Sequence, residues 1–388
     1  MAPVDHHNQY RFRIAVDARF FRRETGGLGR YTRELLHALA RIDSENRYSI
    51  LLRQKDLEQY DIDAPNFKPE LVDIPHFSLR EQTRLAAFLN RQRYDLVHFL
   101  NPNHPILYRR PFLTTIHDLI VVKTRFTERA TAASTVKARI FKSMMRRAVL
   151  SGRRTIAVSN FTAEDASITL RVPRSRLDVV YEGWPEPGKN QALAESELRR
   201  FLRRDEPFFL FVSQWRVHKG ILTLLDAFAE FKRRGDRPHI LVLGGRPDNA
   251  ARSVSEALAK HPYRADIVAP GFVSDEVLAS LYTHALAFVM PSEYEGFGLP
   301  VLEAFAHQTP AILTDSSSLP EVGGKAAVYF PPRDAGALSR AMDRIADSPE
   351  LRQSLKAEIP GQLAKFSWEE CARKTLQIYG EILGFDRS

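Results

Sequence analysis

The sequence contains a single cysteine and lacks a long hydrophobic run. With only Cys371 among 388 residues, the chain cannot form an intramolecular disulfide or a cysteine-rich metal cluster. No uninterrupted apolar stretch approaches the roughly 20 residues that a membrane-spanning helix needs. The segment from Met1 to Arg11 is polar and lacks the apolar core of a signal peptide. These absences lead us to expect a cytoplasmic protein without disulfides or membrane-spanning helices.

Positive charge is concentrated in the first half of the chain. Residues 1–195 carry 32 Lys and Arg against 22 Asp and Glu, whereas residues 196–388 carry 24 against 25. An excess of this kind favours contact with an acidic surface. One interpretation is a non-enzymatic nucleic-acid-binding protein, but the sequence has no recognition motif and no interleaved aromatic and basic residues. We therefore predict no nucleic-acid partner.

Short apolar runs alternate with helical patterns along the whole chain, which predicts an α/β fold with parallel sheets. The turn-rich segment Glu182–Asn190 predicts a linker between two Rossmann-like domains, residues 12–190 and 191–366. The predicted strands of the two halves are Arg13–Val16, Tyr48–Leu52, Leu96–Phe99, Phe112–Ile116 and Arg154–Val158, then Phe208–Val212, Ile240–Leu243, Ile267–Ala269, Ala287–Met290 and Ala311–Thr314.

Two carboxylates, Glu295 and Glu303, are separated by seven residues in the segment EGFGLPVLEA. The segment follows the predicted strand Ala287–Met290, and Pro300 suits the first turn of a helix. We therefore place Glu295 on a loop and Glu303 in the first helical turn. The alternative is that both are ordinary carboxylates near a helix start, stabilised by the helix dipole. The glycines and the apolar flanks favour a binding site.

A nucleotide diphosphate sugar fits this turn if it lies at the carboxyl edge of a parallel sheet. Backbone amides and the helix dipole, at Phe297, Gly298 and Leu299, would bind the diphosphate. Glu303 would bind the ribose diol and Glu295 the sugar hydroxyls. The sequence therefore predicts a donor site for a nucleotide sugar at this turn.

The spacing of Glu295 and Glu303 in this context resembles the signature of retaining family-4 glycosyltransferases. The segment TIHDL around His117 is similar to bacterial lipopolysaccharide and O-antigen mannosyltransferases. The resemblance implies a GT-B fold, in which two Rossmann-like domains face each other across a cleft. It also implies a last helix, within residues 367–388, that crosses back to the first domain. One departure is His307-Gln308 before Thr309-Pro310, where the family has a small residue and glycine. We expect this change to affect the helix end rather than the chemistry.

Two candidate site segments lie in the first half. Gly27 and Gly29, in a glycine-rich turn after the first strand, would let backbone amides approach a phosphate. A flexible turn is the alternative, but the resemblance places a glycine loop of this kind beside the donor. His117 closes the strand Phe112–Ile116 and is a candidate to hydrogen-bond a sugar hydroxyl. We interpret its neighbour Asp118 as a structural cap.

Two further candidates lie in the second half. Lys219 follows the strand Phe208–Val212, where a cation would neutralise the leaving diphosphate, and it matches the lysine of the family. The usual arginine position of the family is Gln214, and we expect Arg216 to compensate. The segment Gly271–Val273, which contains Phe272, resembles the segment of the family that lies along the nucleotide base. A simple loop is an equally good interpretation of this segment.

Two patterns have competing interpretations. Asp61 and Asp63 satisfy a D-x-D pattern that binds metal in other glycosyltransferases, but they lie in a polar segment, so we predict a surface loop and no metal site.

The segment Val136–Arg147 alternates apolar and basic residues. The favoured interpretation is a helix that packs on the core with a solvated charged face. The other is contact with an anionic membrane, as a peripheral protein at its inner face.

These patterns and the resemblance together predict a retaining, metal-independent hexosyltransferase without a cofactor. Its donor substrate would be a nucleotide diphosphate sugar, with GDP-mannose as the first candidate. Its acceptor would be a glycan or a lipid-linked glycan in cell-surface polysaccharide synthesis. The alternative within this fold is a nucleotide-sugar epimerase, which would need no acceptor.

Overall fold

A computed structural model describes residues 10–22, 25–123, 132–184, 192–245 and 252–385. The chain forms two compact units. Unit 1 comprises the described residues up to Val122, then Ala132–Gly183 and the described residues from Ser367 to Phe385. Unit 2 comprises Lys123 and the described residues of Trp184–Phe366. Residues 185–190 of the predicted linker lie outside the described residues.

Unit 1 is built on a parallel sheet which, in the described residues, has seven strands in the order β3-β2-β1-β4-β5-β6-β7. Five of its strands match the predicted ones within one residue at each end, and β3 and β7 were not predicted. Both are edge strands, and the short FKPEL run of β3 contains a proline, which sheets tolerate at their edges. The strands are β1 (Arg13–Asp17), β2 (Arg47–Leu52), β3 (Phe67–Leu71), β4 (Leu96–Phe99), β5 (Phe112–Ile116), β6 (Arg154–Ala157) and β7 (Leu177–Val179).

The helices of unit 1 cover its sheet. Helix α1 buries the predicted apolar face, because Tyr31, Leu35, Leu36 and Leu39 are fully buried. The α-helices of unit 1 that precede Gly183 are α1 (Gly27–Ile42), α2 (Gln54–Leu57), α3 (Ala86–Gln92), α4 (Ala132–Ser151) and α5 (Asn160–Leu170).

Unit 2 repeats the design with a parallel sheet in which the described strands have the order β10-β9-β8-β11-β12-β13. The five predicted strands are confirmed, two of them extended by one or two residues, and β13 was not predicted. The strands are β8 (Phe208–Val212), β9 (Ile240–Gly244), β10 (Ile267–Gly271), β11 (Ala287–Met290), β12 (Ala311–Thr314) and β13 (Ala327–Phe330).

The helices of unit 2 pack around a core that includes the buried Phe209, Phe228 and Leu338. They are α6 (Glu195–Leu202), α7 (Ile221–Arg233), α8 (Arg252–Ala259), α9 (Asp275–His284), α10 (Leu299–Ala306), α11 (Leu319–Gly323), α12 (Ala335–Asp347) and α13 (Pro349–Leu363).

The C-terminal helix α14 (Trp368–Leu383) belongs to unit 1 and packs against α1. Its N-cap is Ser367, whose hydroxyl oxygen accepts a hydrogen bond from the Glu370 amide. In the core of unit 1, the Tyr379 hydroxyl lies 2.7 Å from Nδ1 of His98 on β4. This contact joins α14 to the central strands of the unit.

Each sheet has one point at which the winding direction reverses, between β1 and β4 in unit 1 and between β8 and β11 in unit 2. Parallel α/β sheets bind ligands at the carboxyl ends of the strands beside such a point. The loops after β8 and β11 therefore lead to the candidate site. Among the described residues, no helix combines the length and the apolar character that crossing a membrane requires.

Candidate functional site

The turn that carries Glu295 joins β11 to α10 at the switch point of unit 2. Gly298 is the N-cap of α10 and has a φ of 119°, a conformation that favours glycine. Pro300 lies in the first turn of the helix, as predicted. The predicted place of Glu303 was wrong, because the helix begins at Leu299 and Glu303 is one turn further in. Glu295 lies on the loop, as predicted.

The lysine turn after β8 packs directly against the loop after β11. A short 3-10 turn, Val217–Lys219, leads into Gly220, which has a φ of 67°. A Cβ atom at Gly220 would lie 2.0 Å from the Pro291 carbonyl oxygen, so only glycine permits this approach. The Glu293 amide also donates to the His218 carbonyl oxygen at 2.8 Å. The loop after β8 and the loop after β11 are thus held together by backbone contacts.

This packing brings Lys219 onto Glu295. The Lys219 Nζ donates to both carboxylate oxygens of Glu295, at 2.7 Å to Oε1 and 3.0 Å to Oε2. The two side chains are only 16% and 11% exposed, so the pair is largely withdrawn from water. Burial lowers the pKa of the adjacent His218 to about 4, and the Lys219 charge acts in the same direction. His218 therefore stays neutral beside the pair at neutral pH.

A run of three serines, residues 316–318, holds the Glu295 loop from the next strand, β12. The Ser317 hydroxyl accepts from the Glu295 amide at 3.1 Å. The Ser318 hydroxyl lies 3.1 Å from the Glu295 carbonyl oxygen and 2.6 Å from that of Phe297. Ser316 reaches the Glu293 carbonyl oxygen at 3.3 Å. Glu295 is therefore held at its backbone by the serine run and at its carboxylate by Lys219.

Glu303 is oriented by a buried tyrosine on α9. The Tyr282 hydroxyl donates to Oε2 of Glu303 at 2.9 Å.

Beyond the end of α10, Gln308 has a φ of 58°, the left-handed conformation that glycine adopts without strain. The unusual Gln308 therefore keeps a helix end of the kind that glycine forms.

The other predicted donor contacts lie at the carboxyl ends of neighbouring strands. Phe272 follows β10 directly and is 74% exposed. Arg216 and Gln214 are exposed in the loop after β8. Phe297 and Leu299 are buried, with the Phe297 ring packed edge-on against Phe366 at 5.6 Å between ring centroids. Only the backbone groups of Phe297 and Leu299 are therefore candidates for donor contact.

In unit 1, the predicted glycine loop is one turn shorter than expected. Helix α1 begins at Gly27, and the loop residue before it is Gly26, with a φ of 67°. Gly29 is buried inside the first turn, where a Cβ atom would lie 2.1 Å from Thr25 Oγ1 and 2.2 Å from the Arg22 carbonyl oxygen. Gly29 therefore serves close packing of the turn, while phosphate contact by Gly27 and Gly29 stays a prediction.

His117 follows β5 and has a protein partner at each ring nitrogen. Nε2 donates to the Leu100 carbonyl oxygen at 2.9 Å, and Nδ1 lies 3.3 Å from Oε1 of the buried Glu182. Tyr31 of α1 packs edge-on against the ring, with centroids 4.6 Å apart. A sugar hydroxyl would have to share or replace one of these contacts. The Asp118 carboxylate accepts from the Ile120 amide at 2.8 Å, as expected for a cap.

The residues of the D-x-D pattern lie on the surface of unit 1. Asp61 and Asp63 are both exposed, and Oδ1 of Asp61 lies 2.9 Å from Nε2 of His37. Within the described ranges, no cluster of three or more His, Cys, Asp or Glu side chains is arranged to hold a metal ion.

Several residues that shape the site were not identified from the sequence. Glu182 was assigned to the linker, and Tyr282 and the serine run were not singled out. Three serines in a row, one residue after the buried strand Ala311–Thr314, were a detectable signal of a polar clamp. Glu182 and Tyr282 had no local signal, because their partners are distant in the chain.

Known proteins match both halves of the chain. Residues 25–185 match the family described as Glycosyltransferase Family 4, and residues 195–361 match Glycosyl transferases group 1. A similar curated protein is the O-antigen chain mannosyltransferase B of Escherichia coli, 25% identical over 376 residues, which are 91% of this chain and 95% of that protein.

Solved structures agree over nearly the whole chain. The sucrose-phosphate synthase of Thermosynechococcus elongatus is 23% identical, with a TM-score of 0.77 over 96% of this chain and 100% of that one. HepE of Anabaena, in complex with UDP-glucose, is 13% identical, with a TM-score of 0.73 over the same shares. These similarities establish the GT-B fold, and the two family matches show that the chain belongs to the glycosyltransferases that join a family 4 domain to a group 1 domain.

Proposed function

We propose that the chain is a retaining hexosyltransferase that transfers mannose from a nucleotide diphosphate sugar to a glycan or lipid-linked acceptor of a cell-surface polysaccharide. The observation that carries the proposal is the meeting of Lys219 and Glu295 at the switch point of unit 2, beside the amino end of α10. The similarity to an O-antigen mannosyltransferase makes GDP-mannose the first donor to test.

Each part of the proposed donor has a matching group in unit 2. The diphosphate would bind the amides at the start of α10 together with Lys219, because a helix amino end and a cation both stabilise an anion. Glu303, oriented by Tyr282, would accept the ribose hydroxyls. Glu295 would accept sugar hydroxyls and stabilise the positive charge that develops on the sugar. The acceptor hydroxyl would attack from the face that the diphosphate leaves.

The proposal is tested by incubating the protein with GDP-mannose, UDP sugars and ADP sugars, with and without glycan acceptors. Acceptor-dependent release of nucleoside diphosphate, with retention of the anomeric configuration in the product by NMR, is the expected result. Interconversion of nucleotide sugars without an acceptor would instead identify an epimerase. A panel of donors in thermal unfolding selects the nucleotide, since a ligand that binds the folded state raises its stability.

The proposed charge neutralisation predicts that activity survives removal of divalent metal. Lys219 and the amino end of α10 take the place of the metal ion that D-x-D enzymes use, so transfer rates with and without EDTA should agree within about twofold. The matched control is the double variant Asp61→Asn/Asp63→Asn, which should be equally active. Loss of activity in EDTA and recovery with manganese would contradict the prediction.

The membrane interpretation of α4 gains support from the exposure of its apolar residues. Val136 and Ile140 are 54% and 56% exposed, so the favoured prediction of core packing was wrong for them, although Met145 is buried. Phe77, which is 60% exposed, packs edge-on against Phe141 beside them. The basic residues of the same helix are Lys137, Arg139, Lys142, Arg146 and Arg147.

We therefore propose that this surface of α4 docks on an anionic lipid bilayer. A basic residue near such a surface contributes about 1 kcal/mol. Because salt screens part of this energy, changing Lys142, Arg146 and Arg147 to glutamine should weaken binding to anionic vesicles by about tenfold. Neutralising three exposed arginines of unit 2, in the variant R200Q/R203Q/R233Q, should not. Equal binding to neutral and anionic vesicles would contradict this docking mode.

A further inference from the structure

The pairing of Lys219 with Glu295 is unexpected if the two residues serve different parts of the donor. Lys219 is proposed to bind the diphosphate and Glu295 the sugar, yet here they bind each other through both carboxylate oxygens. An anion that approaches Lys219 must therefore compete with a carboxylate that already occupies it. The competition matters because the pair is mostly shielded from solvent, where charge interactions are stronger than in water.

We infer that Glu295 acts as an internal competitor that makes the site prefer the intact nucleotide sugar to the free nucleoside diphosphate. This inference rests on the proposed function. When a diphosphate draws the ammonium of Lys219 away, the Glu295 carboxylate loses its counter-charge and faces the negative phosphates. Like charges at short distance repel, so a ligand without a sugar binds at a penalty.

An intact donor removes that penalty because its sugar hydroxyls can donate hydrogen bonds to the released carboxylate. A carboxylate accepts hydrogen bonds only, so hydroxyl donors suit it and phosphate oxygens do not. After transfer the sugar has left, and Glu295 again competes for Lys219. Glu295 thus strengthens the binding of the donor and weakens the binding of the nucleoside diphosphate, which favours product release.

The surrounding contacts keep the competitor in place. The serine run holds the Glu295 backbone by hydrogen bonds to its amide and carbonyl oxygen. On the other side, the close packing of Gly220 against Pro291 fixes the lysine turn. Because both backbones are fixed, the side chains re-form the same pair whenever the ligand leaves. A merely accidental surface contact would lack these constraints.

The test measures the binding of GDP and UDP, without sugar, by isothermal titration calorimetry. Glu295→Gln removes the competing charge and keeps the shape, so its affinity for the better-bound nucleoside diphosphate should rise about tenfold. A residue that contacts only the sugar would leave this affinity unchanged. The gain should disappear in a Lys219→Met background, where the double variant should equal Lys219→Met alone within about twofold.

Two further variants keep the outcome interpretable. Glu303→Gln is the matched control, because it neutralises the other carboxylate of the motif, which is held by the Tyr282 hydroxyl, and its affinity for the nucleoside diphosphate should not rise. If Glu295→Gln does not fold in thermal unfolding, Glu295→Asp lengthens the contact to Lys219 and should give a smaller gain.

An affinity of the Glu295 variants equal to or below that of the wild type overturns the inference. If acceptor-dependent transfer by the wild type persists in that case, the proposed function stands and only the competitor role fails. A wild-type protein that binds no nucleoside diphosphate overturns both.

Discussion

Replacing Glu295 by glutamine should lower the turnover of sugar transfer by about tenfold to hundredfold. The change removes a negative charge beside the sugar, where the transition state gains positive character, so the loss concerns the transition state more than donor binding. The magnitude follows from a charge-assisted hydrogen bond, which contributes about 1.5–3 kcal/mol. The measurement is kcat and donor KM under saturating acceptor, on a variant whose thermal unfolding matches that of the wild type.

Glu303→Gln provides the matched comparison at the other end of the motif. Glu303 is proposed to bind the ribose alike in the ground state and the transition state, so the donor KM should rise with little change in kcat. Glu303 accepts a hydrogen bond from the Tyr282 hydroxyl, and the side-chain oxygen of glutamine can still accept it.

Wild-type kinetics in a folded Glu295→Gln variant would remove Glu295 from the catalytic assignment.

The stability of unit 1 should fall by about 2 kcal/mol between pH 7 and pH 5 through His98 alone. Burial lowers the pKa of His98 from 6.5 to about 3, with a smaller contribution from His117. Below pH 6.5 the unfolded chain takes up a proton that the folded chain refuses until about pH 3. The stabilisation is therefore complete above pH 6.5 and is lost as the pH falls through that window.

Urea unfolding at pH 7 and pH 5 measures this effect. The quantity compared is the free energy of unfolding of unit 1 at the two pH values. His98→Gln keeps a polar group between Tyr379 and Thr115, the two hydroxyl partners of His98, and should make the decline shallower by this amount. The remaining decline includes the buried His104, because burial lowers its pKa to about 4. His37→Gln is the control, since His37 lies nearer the surface beside the exposed Asp61 and its change should leave the decline in place. An equally steep decline in His98→Gln would show that other groups cause it.

The pairing of His98 with Tyr379 also explains why the end of the chain belongs to unit 1. A helix that covers the sheet from outside would need only an apolar face, which α14 has. The Tyr379 hydroxyl additionally satisfies a buried imidazole nitrogen, which would otherwise carry the cost of an unmet hydrogen bond. Removing α14 would therefore expose apolar surface and leave a polar group in the core without its partner.

Local patterns in the sequence were enough to predict most of the strands and the turn that carries Glu295. The strands Phe112–Ile116 and Ala287–Met290 are buried on both faces of their sheets. Every position of Ala287–Met290 is apolar and every position of Phe112–Ile116 is apolar or β-branched, so both segments are recognisable as buried strands. The edge strand β3 is buried only at its first residue and contains a proline, and it therefore gave no such signal. Pro300 correctly predicted a helix start at this turn, although Glu303 lies beyond the first helical turn.

Strand ends, turns and helix starts leave short-range patterns in the sequence, so the loops that carry Lys219, Glu295 and His117 could be predicted from it. Which of these side chains meet depends on the folded structure. Lys219 and Glu295 are 76 residues apart, and they form a pair because β8 and β11 are neighbours in the sheet. His117 and Glu182 are 65 residues apart and meet across unit 1. Such contacts depend on strand order and loop packing, which no local pattern encodes.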